Sequence, residues 1–161
     1  MAELHRANRG REAWLAEVPR PAFVLGFAGL LPFVACAAGA WAVSGPGHLI
    51  LITLQIEYGA IVLGFLGAVH WGLAMAEAAA DNWRRLTPAV LPAVVGWTAL
   101  MIPAPLGLLL LALGFAGMYF ADRAAATANR APEWYATLRK PLTLLVLLSL
   151  AACYGALAAE L

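Results

Sequence analysis

Nearly all the polar side chains lying far from the charged segments fall in one apolar stretch, His48 to Ala76, which holds Gln55, Glu57, Tyr58 and His70. Ionisable residues inside such a stretch are functional candidates, because a charge at the bilayer centre costs about 2.5–3.5 kcal/mol on the insertion scale. Glu57 has the chemistry of a proton- or cation-linked site, with Tyr58 beside it. The plainer assignment is an interfacial or neutral, hydrogen-bonded acid. His70 has two assignments as well: a hydrogen bond to a neighbouring helix, or haem or metal ligation. No second His or Cys is spaced to assist ligation. Trp71 suits an interface anchor or a packing residue. Glu57, Tyr58, His70 and Trp71 form the candidate ligand or proton site. No metal is assigned to it, and the cofactor is unknown.

Helical geometry separates these residues. At about 100° per residue, Glu57 lies within about 20° of Gly64 and Ala68, and His70 lies about 140° away from Glu57. At 1.5 Å rise the two are about 20 Å apart along the axis, too far to touch. The face bearing Glu57 also bears a ladder of small residues, Ala60, Gly64, Ala68, Gly72 and Ala76. In lipid, such ladders allow close backbone approach between helices. The preceding apolar run offers Ala28, Pro32, Cys36 and Ala40 at the same spacing. The expectation is that these two helices pack together and that the second lies at the bundle centre. Tyr58, Phe65, Val69 and Leu73 make a bulky stripe expected to face lipid.

No catalytic constellation appears: no nucleophile beside a base, no paired carboxylates, no phosphate-cradling loop. Glu77 and Asp81 read as a solvated loop. Cys36 and Cys153 each lie in an apolar run without metal-ligand spacing, and read as small buried packing residues.

The elements around this stretch are membrane helices. Of 161 residues, 63% are hydrophobic and 12% charged, against about a quarter charged in soluble domains. A net charge of +1 offers no basic surface for nucleic acid. The expected fold is an all-α integral membrane bundle of about five helices, each needing about 20 apolar residues. The first runs from Pro21 to about Val43, with Pro32 kinking it mid-span. It is too long for a cleaved leader and reads as an anchor that stays. The second runs from about His48 to Ala76. The third and fourth are short: Thr87-Pro88 as cap and first position, apolar to Ile102, a break at Pro103-Ala104-Pro105, then apolar to Ala121. They make either two thin crossings or a re-entrant hairpin. The fifth runs from about Pro141 to Ala159, preceded by a short interfacial helix, Pro132 to Lys140, anchored by Trp134 and Tyr135. Residues 1–20 form a cytoplasmic N-terminal segment, either an interfacial helix carrying Trp14 and Leu15 or a partly ordered tail. Residues 21–161 form a single transmembrane domain.

All ten Lys and Arg residues fall in alternate segments: before the first span, between the second and third, and between the fourth and fifth. The positive-inside rule then sets the N-terminus in the cytoplasm and the C-terminus outside.

The run Tyr58-Gly59-Ala60-Ile61-Val62-Leu63-Gly64-Phe65-Leu66-Gly67-Ala68-Val69-His70-Trp71-Gly72, with Leu25 to Phe33 in the first helix, resembles the domain of unknown function 3429 family (transmembrane protein 69-like). The likeness extends to Pro88…Leu91-Pro92…Trp97 and to Trp134-Tyr135…Leu138-Arg139…Leu142-Thr143. It implies a multi-pass protein of about five helices in a bacterial inner membrane, and no activity. The expected function is non-enzymatic: an accessory or structural subunit, or an assembly factor, of a larger inner-membrane complex. The alternative is a small transporter or a protein binding a hydrophobic ligand or cofactor near Glu57 and Tyr58 or near His70. A third reading, an intramembrane enzyme on lipid or quinone, lacks an acid–base pair. Expected partners are the lipid bilayer and other membrane subunits or a second copy, and no nucleic acid.

Overall fold

Pro32 carries no amide hydrogen, so the first span loses one backbone hydrogen bond there. In the computed structural model, which describes residues 18–77 and 83–159, that span divides into α1 (Arg20–Ala28) and α2 (Leu31–Ala42) around Gly29 and Leu30. The break leaves the Gly29 carbonyl without its helical donor, and the Tyr58 hydroxyl donates to it at 3.0 Å. Pro46 opens the next helix, α3 (Pro46–Ala76), after Gly45, whose φ of 70° makes the turn. His48, one turn in, sits with Nδ1 2.8 Å from the Ala40 carbonyl at the end of α2. The first two spans thus pack together, as expected.

α4 (Trp83–Met101) and α5 (Ala104–Thr127) follow. α5 is longer than the short fourth segment expected, while α4 stays marginal and is not among the described helices long and apolar enough to cross a membrane. Thr87 does not cap α4; it lies inside, its hydroxyl donating to the Trp83 carbonyl at 2.8 Å. α4 therefore starts a turn earlier, where Arg85 pairs with Glu77 at 2.7 Å across the connection from α3. α4 runs antiparallel to α3: Gly67 meets Ala89 near one end, and Gly96 meets Ala60 near the other. The break falls at Ile102-Pro103, and α5 then runs beside α3 in the same direction, pairing Gly59 with Leu111 and Leu63 with Gly114.

α6 (Glu133–Ala159) is one continuous helix containing Pro141. The separate interfacial helix at Pro132 to Lys140 is therefore not present. Pro141 removes a single backbone donor, and the segment before it is held onto α5 by polar contacts described below. Among the described residues, four helical spans are long and apolar enough to cross a membrane: α1 with α2, α3, α5 and α6. α4 completes an all-α membrane bundle. α3 is its centre, touching α2, α4, α5 and α6. The core between them includes Phe33, Leu63, Leu108, Leu111, Phe115 and Leu150. Cys36 and Cys153 are both buried and free. The expectations for Trp14, Leu15 and Asp81 fall outside the described residues.

Candidate functional site

α3, α5 and α6 bring a buried polar cluster together near the end of the bundle that carries Glu77, Arg85 and Arg130. Its hub is Asp122 on α5, 0% exposed. Arg139 Nε of α6 donates to Asp122 Oδ2 at 2.6 Å. His70 Nε2 of α3 is 2.9 Å from Oδ1, and the Tyr135 hydroxyl donates to the same oxygen at 3.2 Å. Arg139 is always charged, and an ionised carboxylate beside it only accepts hydrogen bonds. His70 Nε2 therefore carries a hydrogen. Its charge state follows whether the second ring nitrogen is protonated as well.

The local sequence explains the assembly. Tyr135 and Arg139 are four apart on α6, and so share one face of it. Asp122 lies beyond the last residues of the apolar stretch, in the turns by which α5 overshoots it. The three side chains reach the same point because α5 runs alongside α3 and α6 packs against α5. A recess of about 10 Å³ reaches His70 between Leu73, Arg85 and Arg130, about the space of one water.

The sequence-derived candidates are dispersed. His70 joins the cluster. Tyr58 is half-buried and turned to the α1–α2 break, its ring 5.1 Å from that of Phe33. Glu57 and Trp71 are exposed on the outside of α3. Of the residues expected to pack, Ala60 is buried against Gly96, and Pro32 is half-buried at the start of α2. Gly64 and Gly72 border open space, while Ala68 and Ala28 are exposed. The closest approach on α3 uses Gly67, one step off that ladder, where an added Cβ would collide with the Ala89 carbonyl.

Asp122, Tyr135 and Arg139 did not emerge from sequence. Asp122 takes no assignment from the sequence, Arg139 falls among the basic residues between the fourth and fifth spans, and the Tyr135–Arg139 spacing on one helix face is the signal that could have joined two of the three. A His–carboxylate pair thus exists, but among the described residues no Ser, Thr or Cys side chain bonds to it. No group of three metal-ligating side chains occurs among the described residues.

The family model described as "Protein of unknown function (DUF3429)" matches residues 18–155. Transmembrane protein 69 of Xenopus tropicalis is 37% identical over 142 residues, which is 84% of this chain and 54% of that protein. Transmembrane protein 69 of Mus musculus is 28% identical over 163 residues, 92% of this chain and 61% of that protein. The chain spans about half to three-fifths of the length of these relatives. No solved structure matches it.

Proposed function

We propose that this chain, which belongs to the DUF3429 family of proteins of unknown function, is a non-enzymatic accessory or structural subunit, or an assembly factor, of a larger membrane complex. It is a multi-pass membrane protein. The proposed setting is a bacterial inner (cytoplasmic) membrane, as the family resemblance implies, with the N-terminus in the cytoplasm. The alternating placement of its basic residues supports that orientation.

The observation that carries the proposal is the uncovered face of α3. Leu54, Glu57, Ile61, Gly64, Ala68 and Trp71 advance by alternating steps of three and four, and none of them is buried. That repeat keeps one seam facing a partner helix. Gly64 leaves open space for close approach. A carboxyl group directed at hydrocarbon is costly, and a donor on a docked helix removes that cost. The occupant proposed is therefore a transmembrane helix of another membrane protein that offers a hydrogen-bond donor level with Glu57.

Ala68→Cys tests this. The native cysteines are buried, so a thiol crosslinker applied in intact membranes reports on position 68. A crosslinked species of discrete mass that is lost in the Glu57→Leu variant is expected. Recovery as an uncrosslinked monomer in membranes and in mild detergent overturns the proposal. A product of twice the chain mass replaces the foreign partner with a second copy.

A further inference from the structure

Arg139 does not use all of its donors. It is 6% exposed and engages Asp122 through Nε, yet its Nη2 is buried without a hydrogen-bond partner among the described residues. A buried donor left unmade is costly and uncommon in native structures. The same residue lines a groove of about 350 Å³ bordered by α1, α2, α3, α5 and α6. That is within the usual ~300–1,000 Å³ of small-molecule sites.

The rest of the groove is apolar. Phe33, Val62, Leu66, Phe115 and Leu142 form its walls, and Gly26 and Gly29, lacking side chains, keep the α1 side low. Tyr58 contributes its ring, since its hydroxyl is committed to Gly29. The lips are Leu25, Ile61 and Phe65, exposed by 72%, 70% and 67%. They stand on the outer surfaces of α1 and α3, so the groove opens sideways from the bundle. Between the levels of Leu66 and Tyr58 it extends about 12 Å along α3. Arg139 lies at its end nearest the basic segments, and the apolar walls run from there toward the bundle's mid-height. This is one polar anchor at the end of the groove nearest the basic segments, followed by an apolar slot.

We propose that the groove binds an acyl chain whose carbonyl or carboxylate oxygen accepts a hydrogen bond from Arg139 Nη2. Asp122 already balances the guanidinium charge, so the accepting oxygen need not be ionised. The shared chemistry is an acyl group, and two sources provide it: a free long-chain fatty acid, or an ester chain of a phospholipid in the adjacent leaflet. A second groove, about 590 Å³ between α5 and α6, carries Tyr119, Arg123 and Lys140. Its cations are exposed, and it has no orphaned buried donor, so it serves as the control.

The test uses the full chain, delipidated in detergent and titrated by native mass spectrometry with palmitic acid, with a dipalmitoyl phospholipid and with hexadecane. One-to-one binding of palmitic acid or phospholipid, but not hexadecane, is expected, and the tighter of the two identifies the source. Val62→Trp fills the slot without touching the polar cluster and should weaken binding at least tenfold. The paired variant Asp122→Asn/Arg139→Gln removes the donor without stranding a charge and should weaken binding about tenfold or more, the loss of one charge-assisted hydrogen bond. Arg123→Gln/Lys140→Gln should leave it unchanged. If the paired variant fails to fold, Val62→Trp decides. Wild-type affinity in Val62→Trp, equal binding of hexadecane, or no binding of either acyl probe overturns the proposal.

Discussion

Asp122 and Glu57, two carboxylates on the helices of this protein, are handled in opposite ways. Asp122 is fully buried and takes contacts from three side chains on two other helices. Glu57 is exposed on α3, with no hydrogen bond or ion pair among the described residues. Asp122 is thereby internal architecture: its removal strands charges the bundle has already desolvated. Glu57 is spare capacity, since the single chain folds around it without using it. The comparison separates what holds this chain together from what it offers to something else.

The largest effect should follow from breaking the internal side of that comparison. Asp122→Ala leaves Arg139 buried and unpaired, and loss of one partner of a buried ion pair costs about 3–5 kcal/mol. A fall of that size in resistance to detergent or thermal unfolding is expected. The paired Asp122→Asn/Arg139→Gln variant should recover most of it. Equal loss in the single and the paired variant would show that shape, not charge balance, governs the site.

Packing gives the next contrast. Gly67→Ala sets a Cβ against the Ala89 backbone, which cannot swing away as a side chain can. Overpacking of this kind costs about 1–3 kcal/mol. Gly64→Ala, one turn earlier on the open face, meets nothing within 4 Å. It should leave the isolated chain unchanged or slightly more stable, and parallel unfolding curves for the two variants make the check.

Much of the bundle was legible in the sequence. The apolar runs, Pro32, Gly45-Pro46 and Pro103 mark where helices break, because glycine and proline act on the backbone locally. The segment Pro132 to Lys140 misled for a reason of the same kind: Pro141 resembles a boundary, but one missing donor does not end a helix held by tertiary contacts. The small-residue ladder was legible only in part. Residues at exact steps of four drift around a helix of 3.6 residues per turn, so Ala60 packs inside while Ala68 lies outside. The polar cluster was the hardest to see. Asp122 and Arg139 each look solvated beside other charges, and their mutual neutralisation depends on how α5 and α6 align. His70 and Asp122 are 52 residues apart, and nothing local encodes that pairing.

Gln55 sharpens the comparison from a third direction. It is as buried as Asp122, yet neither its amide oxygen nor its nitrogen has a hydrogen-bond partner among the described residues. Unsatisfied buried polar groups cost about 1–3 kcal/mol each. Gln55→Met keeps an unbranched chain of similar length without those groups, and should raise thermal stability by about 1–2 kcal/mol. A loss of stability instead would mean that the amide is satisfied by an internal water.

The smallest effect on the isolated chain, and the most telling, belongs to Glu57→Gln. Substitutions outside packed or paired positions usually fall within about ±0.5 kcal/mol, so the unfolding curve of the detergent-purified chain should barely move. In the membrane the same change tests the offered face. The amide keeps the size and the accepting oxygen, but it cannot carry charge or titrate. If a docked helix supplies only a hydrogen-bond donor, crosslinking from position 68 should persist in Glu57→Gln and vanish in Glu57→Leu. If the partner supplies a cation instead, both variants should lose it. If neither variant changes crosslinking while Asp122→Ala abolishes it, Glu57 is a tolerated surface acid, and the contrast between the two carboxylates reduces to one of burial alone.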